Sequence, residues 1–175
     1  MRYRISHSTV ERCVEFGKAI VHDYRTSSSL GRTALAMNGI EAHVGIQAHA
    51  KMCECVGALA DAQTPTTALD WSIGVADTGF DFVARNGRKI DVKGVDRGKR
   101  FLLWPKSKIG IYAGKQFDAF ILVVGNAPIF EVVGWIAKHD FLVRRHIASQ
   151  GHRLETGTWY LDRDELNTDF GRLLG

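Results

Sequence analysis

Apolar residues recur at helical spacing in two stretches near the start of the chain. Between residues 8 and 24 the stripe is Val10, Val14, Phe16 or Gly17, Ile20 and Val21, with Ser8 or Thr9 placed to cap the first turn. A second, longer helix is predicted from about Asn38 to Leu59, with Asn38 as cap and Val44, Ala48, Met52, Cys55, Val56 and Leu59 as its apolar face. Thr26–Gly31 between them reads as a connector. The pattern then shortens to strand length. Ala68–Gly74 is a predicted strand, Phe101–Trp104 and Ile109–Ala113 are apolar pieces broken by Pro105 and Gly110, and Phe117–Gly125 is apolar enough for a strand buried on both faces. Asn126-Ala127-Pro128 turns that run into another strand, Ile129–Ile136, and Lys138–Ala148 and Asp164–Leu174 look helical. Helices followed by strands predict an α/β protein whose sheet is covered by the long helix on at least one face.

The segment from Gly79 to Val95 carries the densest chemistry. Phe80, Phe82, Val83, Ile90, Val92 and Val95 favour a pleated surface, and Asn86-Gly87 marks the turn of a hairpin. A period of two puts Asp91 and Lys93 on one face of the second strand and Val92 on the other. A two-residue turn would leave Asp81 and Asp91 on opposite faces. A three-residue loop, Arg85-Asn86-Gly87 with Gly87 left-handed, would pair Asp81 directly with Asp91. We expect the second register, because two carboxylates and a lysine on one patch can do chemistry. The carboxylates resist joint ionisation, a hard divalent cation relieves them, and the ammonium orients a water or meets a phosphate. The plain alternative is a solvated hairpin that happens to carry charges.

On the predicted long helix, Glu41 falls within the apolar stripe, whereas Gln47 and Glu54 fall about a quarter turn or more away from it. Glu41 therefore either points inward toward a partner or sits at the N-terminus because the helix dipole favours it.

The 175 residues suffice for one domain with a real core, and 45% apolar with 24% charged residues is an ordinary globular balance. No run of about 18 apolar residues is present, so no membrane span is expected. Met1-Arg2-Tyr3-Arg4 is basic but no apolar run follows, so no secretory signal is expected either. Cys13, Cys53 and Cys55 form no C-x-x-C pattern and read as reduced packing cysteines, which suggests a cytoplasmic protein. The seven histidines show no paired metal spacing, and no Gly-rich phosphate loop or G-x-S-x-G is present.

Charge is unevenly spread. The chain carries +4 overall, yet ten Lys/Arg lie between Arg85 and Lys115 against only Asp91 and Asp96. Arg88, Lys89, Arg97, Lys99, Arg100, Lys106 and Lys108, interleaved with Phe101, Trp104 and Tyr112, make a band suited to a phosphate backbone.

These elements together resemble the PD-(D/E)xK nuclease superfamily of restriction enzymes, junction resolvases and phage nucleases. The resemblance spans roughly residues 36–137. It rests on the acid-bearing helix, Gly79-Phe80-Asp81, Ile90-Asp91-Val92-Lys93 and the apolar strand Phe117–Val124, with Phe80 where the family usually has proline. It implies a restriction-endonuclease-like mixed sheet flanked by helices, in a single domain over residues 1–175, with residues 1–35 as a helical extension outside the family core. It also implies that Asp81, Asp91 and the Val92 carbonyl hold Mg²⁺, or Mn²⁺ in its place. Lys93 would orient or deprotonate the attacking water, and Glu41 would bind a second ion or a metal-bound water, with Gln47 or Glu54 as rivals for that place. DNA is the implied partner, a homodimer is possible, and a prokaryotic or phage origin follows the family. A non-cleaving nucleic-acid-binding protein on the same fold is the competing expectation.

Overall fold

The computed structural model describes residues 1–27, 39–73 and 79–174, with no account of the side chains at 24–27 and 111–113. The described residues form a mixed α/β protein built on two sheets. Strand β1 (Arg2–Arg4) leads into helix α1 (His7–Ser27), and α2 (Ile40–Ala60) and the single turn α3 (Pro65–Ala68) follow. Then come β2 (Phe82–Val83), β3 (Lys89–Val95), β4 (Phe101–Trp104), α4 (Ile109–Gly114), β5 (Ala119–Asn126) and β6 (Ile129–Ala137). The chain ends with α5 (Lys138–Arg144), β7 (His146–Ile147), β8 (Trp159–Asp162) and α6 (Gly171–Leu174).

The larger sheet has the order β1-β6-β5-β3-β2, and only β3 and β5 run parallel. All residues of β5 but Asn126 are buried, as its unbroken apolar run requires when both faces are covered. On one face α1 and α2 pack over Phe82, Ile90, Val92, Ile121 and Val123. On the other face Phe120, Leu122 and Val124 meet Trp104, Phe141 and Leu161. Three of those residues come from β4, β8 and the helix after β6, so the smaller sheet, β4-β8-β7, forms the second layer. Trp104 is its centre, fully buried with its ring 5.0–5.7 Å from Phe120, Phe141 and Trp159.

Several boundaries differ from the sequence expectation. The first helix is capped by Ser6, whose hydroxyl accepts from the Thr9 amide at 3.1 Å, rather than by Ser8 or Thr9. Asn38, the expected cap of the second helix, lies outside the described residues. Ala68 closes a helical turn, and no strand runs through Leu69–Ile73, while Gly74 also lies outside the described residues. Here Trp71 donates its indole N–H to the Pro65 carbonyl and meets Phe16 edge-on, so its apolar surface serves the helices instead of a sheet. Helix α5 stops at Arg144, and Asp164–Leu174 holds only a short 3-10 turn and α6. Residues 1–35 are not a purely helical appendage, because β1 pairs with β6 at the sheet edge through Arg2↔Glu131 to Arg4↔Ile129. The three cysteines are free and buried, and Cys13 and Cys55 place their sulfurs 3.8 Å apart between α1 and α2. No helix among the described residues is long and apolar enough to cross a membrane.

Candidate active site

The hairpin adopts the three-residue register. Phe82 pairs with Ile90 and Val83 with Lys89, while the Ala84 amide donates to Arg88 and the Gly87 amide to Ala84, each at 2.8 Å. Gly87 has φ +86°, the left-handed conformation that such a loop demands and that glycine adopts at least cost. Asn86 accepts from the Arg88 amide at 3.1 Å and so competes against a simple Asn-Gly turn at the tip. Below the loop, fully buried Asp61 at the end of α2 accepts from the Arg85 amide at 2.7 Å and ties the hairpin to the helix.

Strand β2 is only two residues long, so β3 is left open on that side beyond Ile90. Asp81 fills the gap. Its own amide donates to the Ile90 carbonyl at 2.8 Å, and its carboxylate accepts from the Val92 amide at 2.5 Å. A strand residue points its N–H and C=O to the same side, so the Val92 carbonyl faces this edge as well. Asp91 is 3% exposed, and Lys93 Nζ stands 2.5 Å from its Oδ2. The lysine also lies 5.7 Å from the Phe120 ring centre, on the face turned toward the smaller sheet.

Of the three acid or amide candidates on the helix, Glu54 is the one that acts electrostatically on Asp81 and is acted on by Asp91. A Cβ at Gly94 would lie 2.5 Å from the Cys53 sulfur, and one at Gly57 would lie 3.0 Å from Val92 Cγ2. These contacts put the Cys53–Gly57 turn of α2 level with Val92 and Gly94 of β3. Glu41 is exposed thirteen residues earlier, about 20 Å up the axis at 1.5 Å per residue, and touches none of this. The apolar stripe settles neither side nor height, because the C-terminal half of α2 is buried on the faces of Lys51, Cys53 and Gly57 as well, and it is this half that packs on Val92 and Gly94. Glu54 lies a quarter turn or more off that stripe, yet its carboxyl acts on Asp81 and is acted on by Asp91 and Lys93. Gln47 is half-buried and lies near the middle of the helix.

The charges act on one another. Burial, then the neighbouring Glu54 and Asp91, push the Asp81 carboxyl well above the ordinary carboxylate range, against the Val92 amide and Lys93. Burial also raises Glu54, with Asp91 adding to it and Lys51 opposing it. Lys51 is nearly enclosed at 7% side-chain exposure, with Nζ 2.6 Å from the Glu54 carboxylate and 2.7 Å from the Asp70 carbonyl. Phe16 of α1 lies 4.5 Å beneath that ammonium, so α1 walls the site although it lies outside the resemblance.

The cluster thus brings together Asp81, Asp91, Lys93 and the Val92 backbone, adds Glu54 and Lys51, and leaves Glu41 out. Its oxygens are the hard donors that Mg²⁺ takes, and the mutual repulsion around Asp81 is what a divalent cation relieves. Among the described residues, however, no three His, Cys, Asp or Glu side chains already stand as a closed ligand set. Lysines pair with two of the three acids instead.

The basic band divides. Arg97, Lys99, Lys106 and Lys108 are exposed. Arg100 is held by Asp162 at 2.6 Å and Asp164 at 3.1 Å, which neutralises it. Arg88 donates to the Arg172 carbonyl at 3.0 Å, and Lys89 lies 5.2 Å from the Phe80 ring. Trp104 is core and cannot meet a base, and the side chain of Tyr112 lies outside the description.

A pH dependence follows for the metal-free protein. Carboxyls raised on folding add stability below their unfolded value of about 4, and that contribution is lost as pH rises through their folded values. A divalent cation held by these carboxylates would favour their ionised forms and offset the loss. Saturating Mg²⁺ should therefore raise the melting temperature by several degrees at about pH 8 and much less at about pH 5. Equal shifts at both pH values, or the same shift in Asp81→Asn, would remove the link to this cluster. Compared with protein-family models, curated proteins and solved structures, the chain matches none.

Proposed function

We propose that the chain is a divalent-metal-dependent nuclease that hydrolyses phosphodiester bonds in nucleic acid, with DNA as the first substrate to test, on a restriction-endonuclease-like arrangement. The observation that carries this reading is the gathering of Asp81, Asp91, Glu54 and Lys93 around the open edge of β3. A chain with only structural needs gains nothing from burying Asp81 and Glu54 beside Asp91, whose charge pushes both carboxyls further up. Asp81, Asp91, Glu54 and the Val92 carbonyl would hold Mg²⁺ or Mn²⁺, which supplies charge neutralisation of the phosphate and a more acidic water. Lys93, braced by Asp91, orients the attacking water and places a positive charge beside the phosphate. Asp81 is held in place by the Val92 amide. Exposed Arg97 and Lys99 on the turn after β3 guide the backbone toward that edge.

A second reading keeps the fold and groove without cleavage. The Lys93–Asp91 and Lys51–Glu54 pairs favour it, because they satisfy two of the acids internally. Incubation with linear, circular and branched DNAs, with Mg²⁺ or Mn²⁺ and with chelator, separates the readings. Metal-dependent cleavage supports the nuclease, and binding without cleavage by any of these supports the second.

The choice of helix acid gives a further check. Glu54→Gln should lower the cleavage rate by about 10²-fold or more with the fold retained, the order seen when one charge-positioning group is lost. Glu41→Gln should leave the rate within about twofold. Equal rates for the two variants would mean that the helix contributes no acid.

A further inference from the structure

A cleft of about 900 Å³ opens at the C-terminal ends of β3 and β5, where the N-terminal half of α2 overhangs the sheet. Gly94 and Val95 line it, the residues that follow Lys93 directly along β3. Its walls are mostly apolar. Ile46 and Met52 come from α2, and Phe101 and Leu103 face it from β4. Ile46 is 54% exposed, a large apolar side chain left on the wall of a concave site. Lys99 and Arg153 stand on the rim, and the Arg153 guanidinium lies 4.6 Å from the centre of the Phe101 ring. One acid, Asp96, shares the rim, with His49 Nε2 3.9 Å from it.

We propose that this cleft takes the unpaired bases of a single-stranded segment whose backbone runs past Lys93, so that the preferred substrate is single-stranded or carries a frayed or branched end. The inference rests on the nuclease reading for its polarity toward nucleic acid. A duplex offers phosphates and sugars to a concave wall and keeps its base faces stacked inside. An unpaired strand offers flat apolar bases, which stack on aromatic rings and guanidinium planes. The volume lies in the range of sites for small organic ligands, ~300–1,000 Å³, and admits bases but not a double helix. Cations at the rim over an apolar floor match a strand with its phosphates outward and its bases inward.

The test uses the full chain in chelator, so that nothing is cut. Fluorescence anisotropy would compare an oligothymidylate, an abasic oligomer of the same length and charge, and a duplex. The oligothymidylate is expected to bind about tenfold or more tighter than the abasic strand, the loss of a single stacked base being worth about that much. Ile46→Ser, at an exposed position away from the acids, should erase most of that preference while leaving duplex binding unchanged. Equal binding of the thymidylate and abasic strands, or an unaltered preference in Ile46→Ser, overturns the cleft as a base site. Tighter binding of the duplex than of either strand overturns it too. The nuclease reading fails separately, through absence of metal-dependent cleavage with the base preference intact.

Discussion

Asp91→Asn should abolish metal-dependent cleavage, by about 10³-fold or more, while the protein stays folded and binds DNA at least as tightly as before. The substitution keeps the shape of a side chain that is 3% exposed and removes its charge. Losing one group that stabilises charge in a preorganised site costs about 10²–10³ in rate. On the proposed reading Asp91 would donate oxygen to a cation besides holding Lys93 at 2.5 Å, so the loss should lie at the upper end of that range or beyond. Nucleic-acid affinity moves the other way, because removing an acid beside a phosphate site lessens repulsion. Gel cleavage with Mg²⁺, paired with anisotropy in chelator, reads both at once. Retained cleavage in Asp91→Asn would end the nuclease reading. Lost binding along with lost cleavage would instead point to a folding defect, which circular dichroism would reveal.

That experiment is aimed at a residue whose position is legible in the sequence alone. The Asp-x-Lys alternation between β-branched neighbours fixes which face Asp91 and Lys93 share, and the apolar run of β5 marks the buried strand beside them. Even the three-residue hairpin could be argued, since only one register places Asp81 opposite Asp91. What escaped the pattern was angle and height on a helix. Periodicity turns Glu41 inward and Glu54 outward, whereas Glu41 is exposed and Glu54 is nearly enclosed in the half of α2 that is buried on several faces. The turn of α2 that lies over Val92 is set by Gly57 and Gly94, whose close approach is a tertiary fact. The smaller sheet was hidden for a related reason. Strands β4 and β8 are four residues each and pair Trp104 with Trp159 across a long stretch of chain, which no local window reports. Lys51 escaped because a lysine on a helix reads as surface. Only the assembled walls of Phe16 and Trp71 show it enclosed.

Lys51 carries the other large expectation. Lys51→Met should lower the stability by about 3 kcal/mol, because it strips a nearly buried carboxylate of its partner. At about 2–4 °C per kcal/mol for a chain of this size, the melting temperature should fall by roughly 6–12 °C. The cost stays at the low end of the buried-pair range because Glu54 keeps 17% side-chain exposure and can take up a proton. Lys51→Met/Glu54→Gln should recover much of the loss, since no charge is then left unpaired, with a coupling of about 1–3 kcal/mol in the double-mutant cycle. Lys18→Met, which breaks the exposed Glu15–Lys18 pair, should cost less than about 1 kcal/mol and serves as the control. The same variant reports on function. With the competing ammonium gone, Glu54 is left to a cation alone, so calorimetry should find Mg²⁺ bound several-fold more tightly by Lys51→Met than by wild type. Unchanged Mg²⁺ affinity, together with a coupling near zero, would mean that Lys51 and Glu54 are neighbours without an energetic bond and that Glu54 is no part of the metal site.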